Sequence, residues 1–167
     1  MLADGRIFYS GGHFSNRNEP IPGWLDLTTN TFTPISSLPP DFDLDSRDQC
    51  SSVLLPPAQD QKVMIISGGS PATPSVFIAD LSVSNPVYQA ANSLHTGRMH
   101  LNAVILPDRT VFVCGGSRIA EDPATAENRP EIYDSSTGVW TLIEQSASVI
   151  RLYHSIKEHS QTCKGRE

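Results

Sequence analysis

The chain has 167 residues, 38% of them hydrophobic and 18% charged, with 13 prolines and 11 glycines. That is the length of one domain, and the composition excludes a disordered chain while marking a turn-rich one. A net charge of −6 without any Lys/Arg cluster excludes nucleic acid and anionic membrane as partners. No apolar run approaches the roughly 18 residues of a membrane span. Cys50, Cys114 and Cys163 form neither a zinc pattern nor a disulfide framework.

Met1 to Arg6 reaches a turn signal at once and shows no signal peptide. The first predicted strand, Arg6-Ile7-Phe8-Tyr9-Ser10, ends in Gly11-Gly12, and Leu2-Ala3-Asp4-Gly5 before it reads as the remnant of a hairpin. A polar loop over 13–22 leads to a short strand, Trp24-Leu25-Asp26, then a turn, Leu27-Thr28-Thr29-Asn30, then Phe32. The acidic run Asp41-Phe42-Asp43-Leu44-Asp45 lacks the Gly and bidentate Glu of an EF-hand loop and reads as a solvated connection.

The same elements then return. Ser52-Val53-Leu54-Leu55-Pro56 turns into Lys62-Val63-Met64-Ile65-Ile66-Ser67-Gly68-Gly69, followed by Ile78-Ala79-Asp80 and Tyr88. Leu101 to Pro107 turns through Asp108-Arg109 into Thr110-Val111-Phe112-Val113-Cys114-Gly115-Gly116, followed by Ile132-Tyr133-Asp134 and Trp140. The aspartates at 26, 80 and 134 are 54 residues apart each time. A strand, a tight hairpin, a strand ending in glycines, a strand ending in Asp and an aromatic strand make a unit of about 50 residues, the kelch-type blade of a β-propeller. Three feature types recurring in one order favour this over a β-sandwich. The fold class is therefore all-β, a kelch-type β-propeller of which about three of seven blades are present. Blades are expected at about 1–37, 49–91 and 98–144, with a fourth beginning at 151, so that 1–156 is a partial propeller. Residues 157–167 carry no strand pattern and read as a disordered tail, a non-native ending. A propeller closes with roughly four to eight blades, so this chain does not close alone, and self-association through open blade edges is expected.

The inner strands of a propeller line its channel, and three of them start with polar residues: Asp48-Gln49-Cys50, Arg98-Met99-His100 and Arg151-Leu152-Tyr153-His154. They share a face with the loops at 13–22, 70–75 and 117–130, the default site. Tyr153 and His154 together offer phenolate and imidazole, which suit copper or iron. Successive strand side chains point to opposite faces, so the two converge only where the strand is not yet regular; on the two residues alone, packing of Tyr153 and a hydrogen bond from His154 to a neighbouring blade are the favoured reading. His100, Arg98 and His13 are candidate substrate-facing residues, although a hydrogen-bonding structural role for His100 carries at least equal weight and a loop histidine such as His13 is usually just solvated. Asp26, Asp80 and Asp134 recur with the repeat and are read as turn caps.

The segment Val149-Ile150-Arg151-Leu152-Tyr153-His154-Ser155 resembles the metal-site segment of the galactose oxidase and glyoxal oxidase family of copper radical oxidases. Arg98 to Asp108, and Pro130-Glu131-Ile132-Tyr133-Asp134 followed by Trp140, resemble the preceding blade of that family. The resemblance spans most of residues 2–156. It implies a copper held by two tyrosines and two histidines, one tyrosine being cross-linked to a cysteine. It also implies oxidation of primary alcohols, aldehydes or carbohydrates with reduction of O₂ to H₂O₂. On that basis Tyr153 corresponds to the axial tyrosine, the catalytic base and a metal ligand, and His154 to an equatorial histidine. The Cys–Tyr pair and the second histidine have no counterpart here, since Cys50 and Cys114 occupy the wrong repeat positions and are assigned to core packing. The resemblance implies a secreted parent protein, of which this chain is an inactive piece. The competing readings are a kelch-type module that binds protein or carbohydrate without catalysis, and a pseudogene-like product that does not fold.

Overall fold

The computed structural model of the chain describes residues 5–11, 21–35, 37–42, 47 and 49–152. Eleven strands form three antiparallel sheets, and there is no α-helix among the described residues. The first sheet holds β1 (Ile7–Tyr9), β2 (Gly23–Asp26) and β3 (Thr31–Pro34) in that order. The second holds β4 (Ser51–Leu54), β5 (Lys62–Ile66), β6 (Val76–Asp80) and β7 (Tyr88–Ala91), and the third β8 (Asn102–Ile105), β9 (Val111–Cys114), β10 (Glu131–Asp134) and β11 (Val139–Leu142). Each sheet is a meander in chain order, and the second lies between the other two. This is a propeller-like arc of three blades.

The apolar runs explain the stacking. Alternate residues of a strand face opposite ways, and the second sheet is buried on both sides. Val63 and Ile65 of β5, with Phe77, Ala79 and Tyr88, pack toward Trp24 and Phe8 of the first sheet. Met64 and Ile66, with Val76, pack toward Val111, Val113, Tyr133 and Trp140 of the third. Phe42, from the connection between the first two sheets, fills the wedge between Phe77 and Tyr88 at ring distances of 5.0 and 4.7 Å.

The strand registers place the repeat residues at equivalent sites. Leu25 pairs with Phe32, Ala79 with Tyr88 and Tyr133 with Trp140. Two of these aromatics are tied back to the preceding sheet: Tyr88 Oη donates to Ser10 O at 2.9 Å, and Trp140 Nε1 to Asn92 O at 2.8 Å. Burial raises the pKa of both the Tyr88 and Tyr133 hydroxyls above the ordinary tyrosine value.

The glycine pairs do not align as glycines. Ser51 pairs with Ile66 and Asn102 with Cys114, so Ser67 stands where Gly115 does, and Gly68 where Gly116 does. What recurs is two consecutive residues of positive φ, 58° and 108° in the second sheet, 71° and 87° in the third. Ser67 holds its left-handed backbone with its hydroxyl donating to Thr73 O at 2.6 Å. Gly116 has a second constraint, because a Cβ there would lie 2.3 Å from Met99 O.

Asp26, Asp80 and Asp134 cap their turns as the repeat implied. Each accepts from the backbone N–H two residues on, at 2.8, 2.9 and 2.8 Å. Asp108 does the same for Thr110 in the β8–β9 hairpin, at 3.0 Å. These hydrogen bonds favour the carboxylate and hold all four groups below the ordinary aspartate pKa.

Met64 is fully buried between the second and third sheets, so Met64→Ala lowers unfolding stability by about 2–5 kcal/mol, read from the urea midpoint. The lowered aspartate pKa values mean that the turn caps contribute stability above the unfolded value of 3.8 and lose it as pH falls through the folded values. Asp134→Ala therefore lowers the melting temperature at pH 7 but not below the pH at which Asp134 is already protonated, measured by thermal melts across pH.

Candidate functional site

The site is built from the starts of the inner strands and the loops above them. Before β4 and β8 the chain is not extended: Gln49 has φ 54° and His100 φ 58°. His100 N donates to Gln49 O at 2.9 Å, which joins the starts of these two strands. The loops above are joined as well. Ala72 N donates to Arg118 O at 2.8 Å and Ala120 N to Ser70 Oγ at 3.2 Å. Met99 and Ser117 exchange backbone hydrogen bonds at 2.8 and 3.2 Å, which fixes the third sheet's loop to the start of its own inner strand.

Strands β4 and β8 are each preceded by an arginine, and the sequence repeats it at 151. Arg47, Arg98 and Arg151 lie 51 and 53 residues apart. The first two are fully buried. Arg47 donates through Nη1 to Ser67 O at 3.1 Å and Ser75 O at 3.0 Å, and its guanidinium lies 4.7 Å from the ring centre of Phe77. Arg98 donates through Nη1 to Arg129 O at 3.0 Å, and its Nη2 pairs with Glu131 Oε1. Phe77 and Glu131 occupy the same register position, three residues before Asp80 and Asp134. One buried cation is thus held by an aromatic face and the other by a carboxylate.

Glu131 is wholly buried and completes its hydrogen bonds with His95, accepting from the backbone N at 2.9 Å and meeting the ring Nδ1 at 2.8 Å. Burial draws the Arg98 pKa down from the ordinary arginine value, and the charges of Glu131 and Glu127 oppose it. For Glu127 burial acts upward, but hydrogen bonds from the Arg129 side chain and backbone, with the charges of Arg98 and Arg129, bring its pKa below the ordinary value.

Of the residues that the sequence marked as substrate-facing, Arg98 points into the blade and partners Glu131, in a position that serves structure rather than a substrate. The His100 side chain is 6% exposed, with Nε2 3.6 Å from Glu121 Oε1 on the loop above. His13, Tyr153 and His154 lie outside the described residues, as does the tail at 157–167. Cys114 is buried in its strand, and Cys50 packs against the core between the first two sheets. Among the described residues no group of three or more His, Cys, Asp or Glu comes together. The described part of the site therefore does not fit a copper ion by itself. Glu131 is a key residue that its sequence context concealed, because Pro130-Glu131-Ile132 reads as an ordinary strand start.

No family model matches the chain, and no curated protein is similar to it. Among solved structures it is similar to a fungal alcohol oxidase of the AA5 family, described as catalytically diverse and in complex with copper. The TM-score is 0.76 at 25% sequence identity, and the match covers 91% of this chain and 31% of the other. The chain thus spans less than a third of the length of that oxidase.

Removing one member of the buried pair strands the other. Arg98→Met is expected to cost about 3–5 kcal/mol of stability, and Arg98→Met combined with Glu131→Leu to recover most of it. Denaturant midpoints of the two single variants and the double variant measure this.

Proposed function

We propose that the chain is part of a galactose-oxidase-like copper oxidase with a kelch-type propeller, and that it supplies one part of the active-site face. The parent enzyme oxidises a primary alcohol or aldehyde; for an alcohol, two hydrogens leave the CH–OH group and O₂ is reduced to H₂O₂. The observation that carries this reading is Arg151-Leu152-Tyr153-His154-Ser155 at the start of the next inner strand. Its Tyr153 stands two residues after the repeat arginine, as do Gln49 and His100. Both of those have positive φ, the irregular backbone that lets adjacent side chains converge. The similarity to a copper-containing alcohol oxidase supports the reading from the fold.

In this reading Tyr153 and His154 are two ligands of the copper, and the remaining ligands come from outside this chain. The copper supplies one-electron chemistry to the oxidation when bound. Tyr153 takes the proton of the substrate hydroxyl, and His154 holds an imidazole nitrogen toward the metal. Arg98, with Glu131, positions the start of the neighbouring strand, so that His100 is held beside the mouth of the channel. The isolated chain carries too few ligands to turn over. The longer protein is secreted, and its substrates are small alcohols, aldehydes or carbohydrates.

A second reading is a kelch-type binding module without catalysis, since a propeller fold alone does not decide between binding and chemistry. Copper content and H₂O₂ production of the longer protein, assayed with primary alcohols and aldehydes, separate the two. The oxidase reading expects bound copper and peroxide in the wild type. It expects Tyr153→Phe to lose about 10²–10⁴-fold in rate with copper retained, and His154→Ala to lose copper. A wild type without copper or peroxide replaces the oxidase reading with the binding module.

A further inference from the structure

Between the second and third sheets, at the strand ends opposite the candidate site, lies a groove of about 850 Å³. It runs from the β4–β5 turn and the start of β7 to the β8–β9 and β10–β11 turns, and both of its walls are four-stranded sheets of this chain. Tyr133 lines it and is only 4% exposed, yet its hydroxyl has no hydrogen-bond partner among the described residues. The polar tips of the other buried aromatics at this radius, Tyr88 and Trp140, both have acceptors. A buried hydroxyl left unmet is costly, and a ligand in the groove removes that cost. Leu55 and Ile78 give the groove an apolar wall, and Lys62 and Arg109 stand in it among four aspartates. Three of these, Asp80, Asp108 and Asp134, cap their turns through Oδ1, which leaves Oδ2 to accept from a ligand.

We propose that this groove binds a neutral polyhydroxyl ligand, a short oligosaccharide. A charged ligand pairs with one set of lining charges and is opposed by the other, whereas hydroxyl groups suit both. They donate to the aspartates, and their oxygens accept from Lys62, Arg109 and Tyr133. The C–H face of a sugar ring lies on Leu55 and Ile78. The volume is that of a small-molecule site, and the turn caps hold the carboxylates in place beforehand, which lowers the cost of ordering them on binding. The groove is separate from the strand starts that build the candidate site, so the inference does not depend on the oxidase reading.

Isothermal titration calorimetry of the 167-residue chain with maltotriose, cellotriose and xylotriose tests this, with the trimers of galacturonic acid and glucosamine as anionic and cationic counterparts. At least one neutral trisaccharide is expected to bind saturably, and more tightly than either charged trimer. Tyr133→Phe is expected to lower that affinity about three- to tenfold without lowering the melting temperature, because the hydroxyl it removes has no partner in the free protein. Arg109→Asn, on the exposed β8–β9 turn, places a residue that tolerates the φ of 71° there and is expected to lower the affinity about tenfold. Binding of none of the three neutral sugars overturns the proposal. So does binding that both variants leave unchanged, or tighter binding of a charged trimer. A lowered melting temperature in Tyr133→Phe overturns it as well, since the hydroxyl then serves the fold.

Discussion

The structure depends on the double burial of the second sheet. Strand β5 sends Val63 and Ile65 one way and Met64 and Ile66 the other, into two separate clusters. An amphipathic strand has one partner layer; a strand apolar on both sides needs two. The stacking of three sheets follows from that requirement, and so does the demand for regular spacing between them. The aromatics on the outermost strands meet it at larger radius, where Tyr88 and Trp140 fill space and their polar tips donate to the neighbouring sheet.

Stacking in this way fixes where the inner strands begin. Gly68 N donates to Arg98 O at 3.2 Å and Gly116 N to Arg151 O at 2.8 Å. The positive-φ turn after β5 thereby anchors the segment that enters β8, and the one after β9 holds Arg151. Arg47 and Arg98 turn inward onto loop carbonyls and onto Phe77 and Glu131 respectively, whereas Arg151 is exposed. Burying a guanidinium this completely is costly unless its donors are met, and loop carbonyls accept from both groups: Ser67 O and Ser75 O from Arg47, and Arg129 O from Arg98. The residues two after those arginines, Gln49 and His100, are left in a left-handed backbone just before β4 and β8. Architecture and the candidate site share the same few residues.

Much of this was legible in the sequence. The three apolar strands, the aspartate caps 54 residues apart and the aromatics gave the number of sheets and their meander order. Register was harder. Ser67 takes the place of a glycine, and only the strand pairing reveals that the glycine pairs are displaced by one residue. Arg98 looked like a residue facing a channel because polar strand starts are usually solvated. Its partner Glu131 sits 33 residues away, and no local pattern links the two. Recurrence of Arg47, Arg98 and Arg151 was the available signal, since a function-specific residue has no reason to repeat in every blade. Tyr153 and His154 rest on the sequence resemblance and on the repeat position that they share with Gln49 and His100.

That shared position is the central claim, and a crystal structure of the longer, copper-loaded protein through residues 149–156 tests it most directly. The account predicts a positive φ at Tyr153, as at Gln49 and His100, with the Tyr153 hydroxyl and a His154 ring nitrogen directed at one copper ion. A regular extended strand from Arg151 to Ser155, with the two side chains on opposite faces and no metal between them, would contradict it.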